Sequence, residues 1–199
     1  MNAYRYPIRP HRRKHGPRGY RDAADFQPWL RDEFLFRCVY CLEREQWVNR
    51  IGHFHGDHFR PAADHPELVL DYDNMLYVCQ ACNLRKGRQS VAEPLKHLLS
   101  KDIVVRRDGS IRGRTKAAKA IIDLLKLDGP QYRKRRRLMR EVIAMAAKHN
   151  PKLYRELMSF PDDLPDLEVL KPPVGNSRPN GVKKSCFALR VQQKLPAMY

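Results

Sequence analysis

Two pairs of cysteines with CxxC spacing enclose a segment rich in side chains that can bind metals. The first pair is Cys38 and Cys41, and the second is Cys79 and Cys82. Thiolates are good zinc ligands, and two such pairs supply the four sulfurs of a closed tetrahedral site. A closed site has no open coordination position, so we expect a structural Zn²⁺ rather than a catalytic one. The alternative is two unrelated or redox-active pairs.

The enclosed segment carries residues suited to phosphodiester hydrolysis. Asp57 and His58 are adjacent, Asn74 follows, and Asn83 comes directly after the second cysteine pair. A neutral imidazole suits activation of water, and a hard divalent cation held by oxygen ligands suits neutralisation of a phosphate. In an extended strand, Asp57 and His58 point to opposite sides, so one can face a metal and the other the attacking water. Taken singly, each is more often an ordinary turn, surface or helix-start residue.

Further charged residues near this segment are candidates for phosphate contacts. Strand alternation places His53 and His55 on the side opposite His58, and each is close enough in sequence to approach a metal or a phosphate. Arg60 and Lys86 are candidates by charge and position. For these two residues a surface salt bridge is the alternative.

These motifs, in this order, resemble an HNH endonuclease with a zinc-bearing ββα-metal core. The resemblance covers about residues 36 to 90, with Met75 standing where the family usually has Leu. It implies that His58 is the general base, that Asp57 and Asn83 bind a catalytic Mg²⁺ or Mn²⁺, and that Asn74 holds the loop that orients His58. It also implies a one-metal endonuclease that acts on DNA and leaves 5′-phosphates. The motif segments are Asp57-His58-Phe59-Arg60-Pro61, Tyr72-Asp73-Asn74-Met75 and Cys79-Gln80-Ala81-Cys82-Asn83-Leu84-Arg85-Lys86-Gly87.

The charge of the chain favours a polyanionic partner. The net charge is +17 and the pI is about 10, which indicates nucleic acid first, anionic membrane second and simple solubility third. The basic residues concentrate before Asp22 and again in the 101–148 region. We take three arginines of the second region as candidate nucleic-acid contacts: Arg133, Arg135 and Arg136.

The sequence shows no sign of export or of a membrane span. No apolar run reaches the length of a transmembrane helix, and the N-terminal residues lack the apolar stretch of a secretory signal. Five cysteines, four of them in CxxC pairs, fit a reduced compartment with a metal better than a disulfide framework. We therefore expect a cytoplasmic protein with no membrane partner.

Composition and periodicity predict an α+β protein in four parts. Residues 1–24 form a flexible basic arm, 25–100 a nuclease-like domain with the four-cysteine zinc site, 101–160 a basic helical extension, and 161–199 a proline-rich, poorly ordered tail. Within the second part we expect a zinc knuckle and a short hairpin with a long connection. Predicted helices cover residues 27–36, 82–87, 90–99 (with Ser90 and Glu93 as a capping box), 115–127, 130–149 and 152–158.

The helical extension carries a second, looser resemblance. Residues 101–140 are similar to the helices of HNH subunits that are encoded with an ATPase in bacterial defence systems, which implies an ATPase partner. Two other functions stay open. One is a non-catalytic, zinc-dependent module that binds nucleic acid through its basic flanks, and the other is a partner-docking subunit of a defence complex.

Overall fold

The computed structural model describes residues 3–7, 9–48, 53–98 and 101–199. Short helices and two small sheets are mixed along the chain, which confirms the predicted α+β class. The strands are β1 Phe54–His58, β2 Met75–Cys79, β3 Ile103–Val105 and β4 Ile111–Gly113. The helices are α1 Gln27–Glu33, α2 Gln80–Lys86, α3 Pro94–His97, α4 Lys116–Leu124, α5 Pro130–His149, α6 Pro151–Met158 and α7 Cys186–Val191.

The centre of the molecule is a hairpin followed by a helix. Strand β1 pairs antiparallel with β2, with Asp57 opposite Leu76 and His58 opposite Met75. Every residue of β2 is buried, because the strand has protein on both faces. Helix α2 starts directly after β2 and packs against both strands. This ββα unit fixes where the polar residues of β1 lie relative to those of α2.

Helix α1 contributes core residues to this unit and ends earlier than the sequence predicts. Trp29 and Leu30 are fully buried. The predicted end was Phe36, but Leu35 and Phe36 adopt positive φ angles of 53° and 55°. This left-handed turn brings the Phe36 amide to the Arg31 carbonyl, 2.8 Å away, and reverses the chain before the first cysteine pair. The apolar pattern continues through the turn, so periodicity alone extends the helix too far.

The predicted helices of the extension are present, but α4 ends at Leu124 and not at residue 127, because Lys126 turns the chain with a φ of 50°. Helix α5 has the predicted bounds, and α4 is capped by Thr115, whose hydroxyl accepts from the Ala118 amide. Before the extension, in the 25–100 part, the predicted capping box at Ser90 and Glu93 is wrong. Helix α3 has four residues and no side-chain cap, because Pro94 keeps the preceding residue out of the helical region. Position 99, the predicted helix end, lies outside the described residues.

The extension begins with a hairpin, β3–β4, that was not predicted. Strands of three residues leave too short a pattern to recognise.

Among the described residues, we find no helix with both the length and the apolar content of a membrane span.

The described residues of the N-terminal arm (3–7 and 9–24) and the C-terminal tail pack on the core, which corrects the prediction that they are flexible or poorly ordered. Tyr4 and His15 of the arm are buried. In the tail, the Cys186 amide donates to Asp32 Oδ1 at 2.6 Å, and Arg178 pairs with Asp73 at 2.7 Å. Composition did not predict these contacts, because the acidic residues that pair with the arm and the tail lie on other segments of the chain.

One buried acid, Glu33, joins the arm to the central unit. Its carboxylate accepts hydrogen bonds from His11 Nε2 at 2.6 Å, the Lys14 amide at 2.9 Å, the His15 amide at 3.0 Å and the Tyr72 hydroxyl at 3.1 Å. Burial raises the pKa of this carboxyl, but the hydrogen bond and charge of His11, with smaller contributions from its other neighbours, outweigh burial and lower the pKa to about 2. The folded state therefore favours the ionised form.

We expect Glu33 to make the fold sensitive to acid. Because its folded pKa lies below its unfolded pKa, its contribution is complete above about pH 4.5 and is lost as the pH falls towards 2, about 3 kcal/mol in all. Urea unfolding at pH 5 and pH 3 measures this loss. Glu33→Gln should show a smaller loss than wild type, while the exposed control Glu67→Gln should match wild type. An unchanged loss in Glu33→Gln would contradict the assignment.

Candidate functional site

The four cysteines of the two CxxC pairs form one cluster. Their sulfur atoms lie within 4.8 Å of one another, all four side chains are buried, and none forms a disulfide. Cys41 Sγ and Cys79 Sγ are 3.6 Å apart. Four sulfurs bound tetrahedrally at about 2.3 Å from zinc are separated by about 3.8 Å. The cluster therefore fits a structural zinc ion, as the sequence predicts.

Local backbone geometry brings the two pairs together. Cys79 ends β2, and Cys82 lies in the first turn of α2. The first pair lies in a tight turn in which the Leu42 amide bonds to the Cys38 carbonyl and Leu42 has a φ of 62°. The Val39 amide donates to the Tyr77 carbonyl of β2 at 2.9 Å and fixes this turn against the strand. Zinc would thus join the turn after α1 to the end of the hairpin and the start of α2.

The pKa shifts within this cluster differ in sign, because hydrogen bonds with the other cysteines lower the pKa of the Cys79 thiol and raise that of the Cys41 thiol. Burial raises the pKa of the Cys38 thiol well above its usual range. Zinc binds thiolates, so metal binding has to release the protons of the thiols with a raised pKa, and the affinity for zinc falls with decreasing pH.

Asp57 lies on the side of the hairpin that faces α2. Its carboxylate is 7% exposed, and its Oδ1 is 3.0 Å from the Lys86 ammonium at the end of α2. Its Oδ2 lies 3.4 Å from the hydroxyl of Tyr40, inside the first cysteine pair. Burial raises the pKa of Asp57, and the Lys86 charge opposes that rise. The predicted metal ligand is therefore engaged by an ammonium group in this structure.

His58 lies at the end of β1 and is half-buried. Its Nε2 is 2.9 Å from the backbone carbonyl oxygen of Val69, in the long connection between the strands. A carbonyl oxygen only accepts, so in the neutral ring Nε2 carries the proton and Nδ1 holds the lone pair. The connection thereby sets both the orientation and the tautomer of the imidazole.

Asn74 holds the connection in place. Its side-chain Oδ1 accepts from the Arg60 amide at 3.0 Å, and its Nδ2 donates to the Arg60 carbonyl at 3.0 Å and the Leu68 carbonyl at 3.3 Å. Its own carbonyl accepts from the Phe59 amide. The side chain is buried, so one amide joins the residues after His58 to the residue before Val69, whose carbonyl binds His58.

Asn83 and Lys86 share one face of α2, because they are three residues apart on a helix. Asn83 is half-buried. Among residues 3–7, 9–48, 53–98 and 101–199, its side-chain amide makes no hydrogen bond. Its carbonyl oxygen is thus available to a ligand, in contrast to the carboxylate of Asp57.

A comparison with family models identifies this region. Residues 38–89 match the model of the HNH endonuclease. The chain contains an HNH endonuclease domain. The match begins at the first cysteine of the four-cysteine cluster and ends three residues after Lys86, so it includes every residue of the candidate site described above. No curated protein matches the chain.

Four of the predicted nucleic-acid contacts lie at or near the surface. His55 is half-buried on β1 of the HNH domain, and Arg60 is exposed beside the ring of Phe59. Arg133 is partly exposed and pairs with Asp128. Arg135 is exposed, and its Nε lies 3.2 Å from Glu43 Oε1. Ion pairs at the surface are weak, so both arginines remain accessible to phosphates.

The structure corrects the prediction for two other cations. Arg136 is 2% exposed and donates to the carbonyls of Gly109 at 2.6 Å and Leu127 at 2.7 Å. It joins the β3–β4 turn to the end of α4 and is closed to phosphates. Lys86 is 1% exposed and pairs with Asp57. Both were assigned from charge and position, which do not report burial.

Sequence reasoning did not assign three groups that shape the HNH site. Tyr40 contacts Asp57, the Val69 carbonyl orients His58, and Arg13 donates to the carbonyls of Asp73 and Met75. Tyr40 carries a signal, since it lies between Cys38 and Cys41. The Val69 carbonyl carries no sequence signal, because every residue type has a backbone carbonyl. Arg13 carries none either, because the arm contains many arginines and nothing in the sequence distinguishes this one.

Proposed function

We propose that this protein is a metal-dependent endonuclease that hydrolyses phosphodiester bonds in DNA with His58 as general base. The observation that supports this most is the hydrogen bond from His58 Nε2 to the Val69 carbonyl inside an HNH domain. It leaves Nδ1 as the basic nitrogen of a half-buried imidazole. A fixed base within reach of solvent is what activation of water requires.

Asp57 and Asn83 are the proposed ligands of the catalytic metal. One carboxylate and one amide carbonyl are hard oxygen donors and suit Mg²⁺ or Mn²⁺, which retain several waters when proteins provide few ligands. A divalent cation bound there would neutralise the phosphate and stabilise the departing 3′ oxygen. Asp57 and His58 follow each other on β1, so alternation directs them to opposite faces of the strand. Although Asp57 and His58 are consecutive in sequence, the proposed metal ligand and the proposed base therefore lie on opposite faces of the strand.

DNA is the proposed substrate because of charge and family. The net charge of +17 favours binding to a polyanion. Phosphate contacts from residues such as Arg60, Arg133 and Arg135 would add affinity without sequence preference.

The proposed location is the cytoplasm. Four of the five cysteines lie in CxxC pairs, which suit metal binding in a reduced compartment better than disulfide formation.

Nicking of supercoiled plasmid by zinc-loaded protein tests this function. Cutting is expected with Mg²⁺ or Mn²⁺ and not after dialysis against metal-free buffer, a control that leaves the buried zinc in place, unlike EDTA. Single-stranded DNA and RNA of the same sequence serve as competing substrates. A folded, DNA-binding protein that cuts none of the three with either metal contradicts the proposal.

We expect Asn74 to matter for both stability and activity. Asn74→Ala leaves the Arg60 amide and the Leu68 carbonyl without this partner, which costs about 1–3 kcal/mol. It also releases the segment that carries the Val69 carbonyl, so nicking should fall although His58 is intact. Thermal unfolding and initial nicking rates measure the two effects.

A substitution elsewhere in the same connection is the control for Asn74. Asp71 is exposed, and its side chain caps the short turn that leads to Asn74. Asp71→Asn keeps an oxygen acceptor for that cap, so its stability and nicking rate should match wild type. A stable, fully active Asn74→Ala protein would contradict the role of the Asn74 side chain.

A partner-docking subunit is the alternative function that one observation favours. Helix α5 exposes Leu138, Val142 and Met145, which recur at helical spacing, with Met145 67% exposed. An apolar stripe on a basic helix can bind another protein as readily as nucleic acid. An ATPase subunit is the proposed partner. A protein that forms a stable complex with such a partner and cuts no nucleic acid when assembled would favour this alternative.

A further inference from the structure

The Lys86 ammonium forms an ion pair with Asp57, the residue that the proposed function assigns as a ligand of the catalytic metal. Lys86 Nζ lies 3.0 Å from Asp57 Oδ1, and the two side chains are 1% and 7% exposed. The other carboxylate oxygen, Oδ2, faces the Tyr40 hydroxyl. Both oxygens of Asp57 therefore have a partner within the protein, and one partner is a positive charge.

A buried ion pair of this kind changes what Asp57 offers to a cation. The negative charge of the carboxylate is balanced by the positive charge of the ammonium, and Asn83, the other proposed ligand, is neutral. A divalent cation that approaches Asp57 meets no net negative charge from these three side chains and is repelled by a neighbouring ammonium. Little water is present to screen that repulsion, because both partners are buried.

We propose that Lys86 is a built-in competitor for the divalent cation, so that the metal binds tightly only together with a phosphate of the substrate. This inference rests on the proposed function, which makes Asp57 a metal ligand. A phosphodiester contributes a further negative charge and oxygen ligands, and these offset the ammonium. The HNH domain alone would then bind the metal weakly, and substrate would complete the site.

A simple structural ion pair gives the opposite expectation. If Lys86 only held Asp57 in its orientation, removing the ammonium would loosen the carboxylate and weaken metal binding. Competition and orientation thus differ in the sign of one measurable effect, the change in metal affinity when the charge at position 86 is removed.

Binding of Mn²⁺ to zinc-loaded protein, followed by electron paramagnetic resonance without nucleic acid, measures that change. Lys86→Met and Lys86→Gln are expected to bind Mn²⁺ about tenfold or more tightly than wild type, because the repulsion is gone. Lys86→Arg keeps the charge and should bind as weakly as wild type. With His58→Ala present in both proteins to prevent cutting, addition of a short DNA duplex should tighten Mn²⁺ binding more when Lys86 is retained than in Lys86→Gln. Equal or weaker Mn²⁺ binding by both neutral variants overturns the proposal.

Further controls separate a change in Mn²⁺ affinity from a change in folding or in nuclease activity. Lys86→Met leaves Asp57 without its ammonium partner in a buried site, so circular dichroism and zinc content are recorded for every variant. Lys86→Gln, which keeps a hydrogen-bond donor, decides the matter if Lys86→Met fails to fold. Asp57→Asn marks the loss of the proposed ligand and should abolish any gain in Mn²⁺ affinity when combined with Lys86→Gln. Metal affinity is independent of cutting, so a failure of the nuclease assay leaves this readout intact.

Discussion

Replacement of His58 by alanine is expected to lower the rate of metal-dependent plasmid nicking by about 10²–10⁴-fold, the usual contribution of a general base. The physical reason is the loss of Nδ1, the nitrogen that the hydrogen bond to the Val69 carbonyl leaves unprotonated. Alanine removes the imidazole without burying a polar group, and Val69 is half-buried, so we expect water to replace the imidazole as the partner of its carbonyl. Initial rates of nicking at saturating Mg²⁺ measure the effect.

Two matched histidine variants isolate the base. His65→Ala removes a surface histidine of the same connection, which pairs with the exposed Glu67, and should leave nicking unchanged. His55→Ala removes a half-buried histidine two residues from Asp57 on β1 and tests the predicted contact with nucleic acid; it should weaken DNA binding more than it slows cutting. Folding, zinc content and DNA retention of His58→Ala should match wild type. A nicking rate within a few-fold of wild type in His58→Ala would favour the non-catalytic binding module.

Loss of one zinc ligand is expected to unfold the HNH domain. The core that surrounds the cluster is small, and structural zinc contributes about 10–16 kcal/mol in zinc-finger peptides, which is comparable to the whole stability of a typical domain. In Cys38→Ser the hydroxyl is a poor replacement for thiolate, so the turn after α1 is no longer joined to β2 and α2. We expect loss of bound zinc, of the cooperative urea transition and of nicking together.

A lone cysteine provides the control for the zinc site. Cys186 is buried at the start of α7, and the structure places it outside the four-cysteine cluster. Cys186→Ser should keep one zinc per chain and a cooperative transition. The redox alternative for the two CxxC pairs makes a different prediction, in which Cys38→Ser stays folded and zinc is absent from the wild type as purified. Zinc analysis of the purified protein separates the two.

The local parts of the site could be predicted from the sequence. The members of each cysteine pair are close in sequence, and a metal ion accepts few arrangements of ligands, so the spacing of the two pairs is enough to indicate one cluster. The order of hairpin and helix follows from the same positions. The 20-residue helix α5 was also predicted at its observed bounds, because Gly129 and Pro130 begin it and Asn150 and Pro151 end it.

Only the tertiary structure decided how the charged residues are used. Asp57 and Lys86 are 29 residues apart in sequence, and the contact of Asp32 with the Cys186 amide spans 154 residues. Composition shows that the chain has many cations but not which of them face a buried acid or a backbone carbonyl. Arg136 was therefore predicted to contact phosphate although it lies in the core. A buried charge needs a partner, and that partner is set by the packing of distant segments. For this reason the roles of Lys86, Arg136 and the two termini emerged only from the fold.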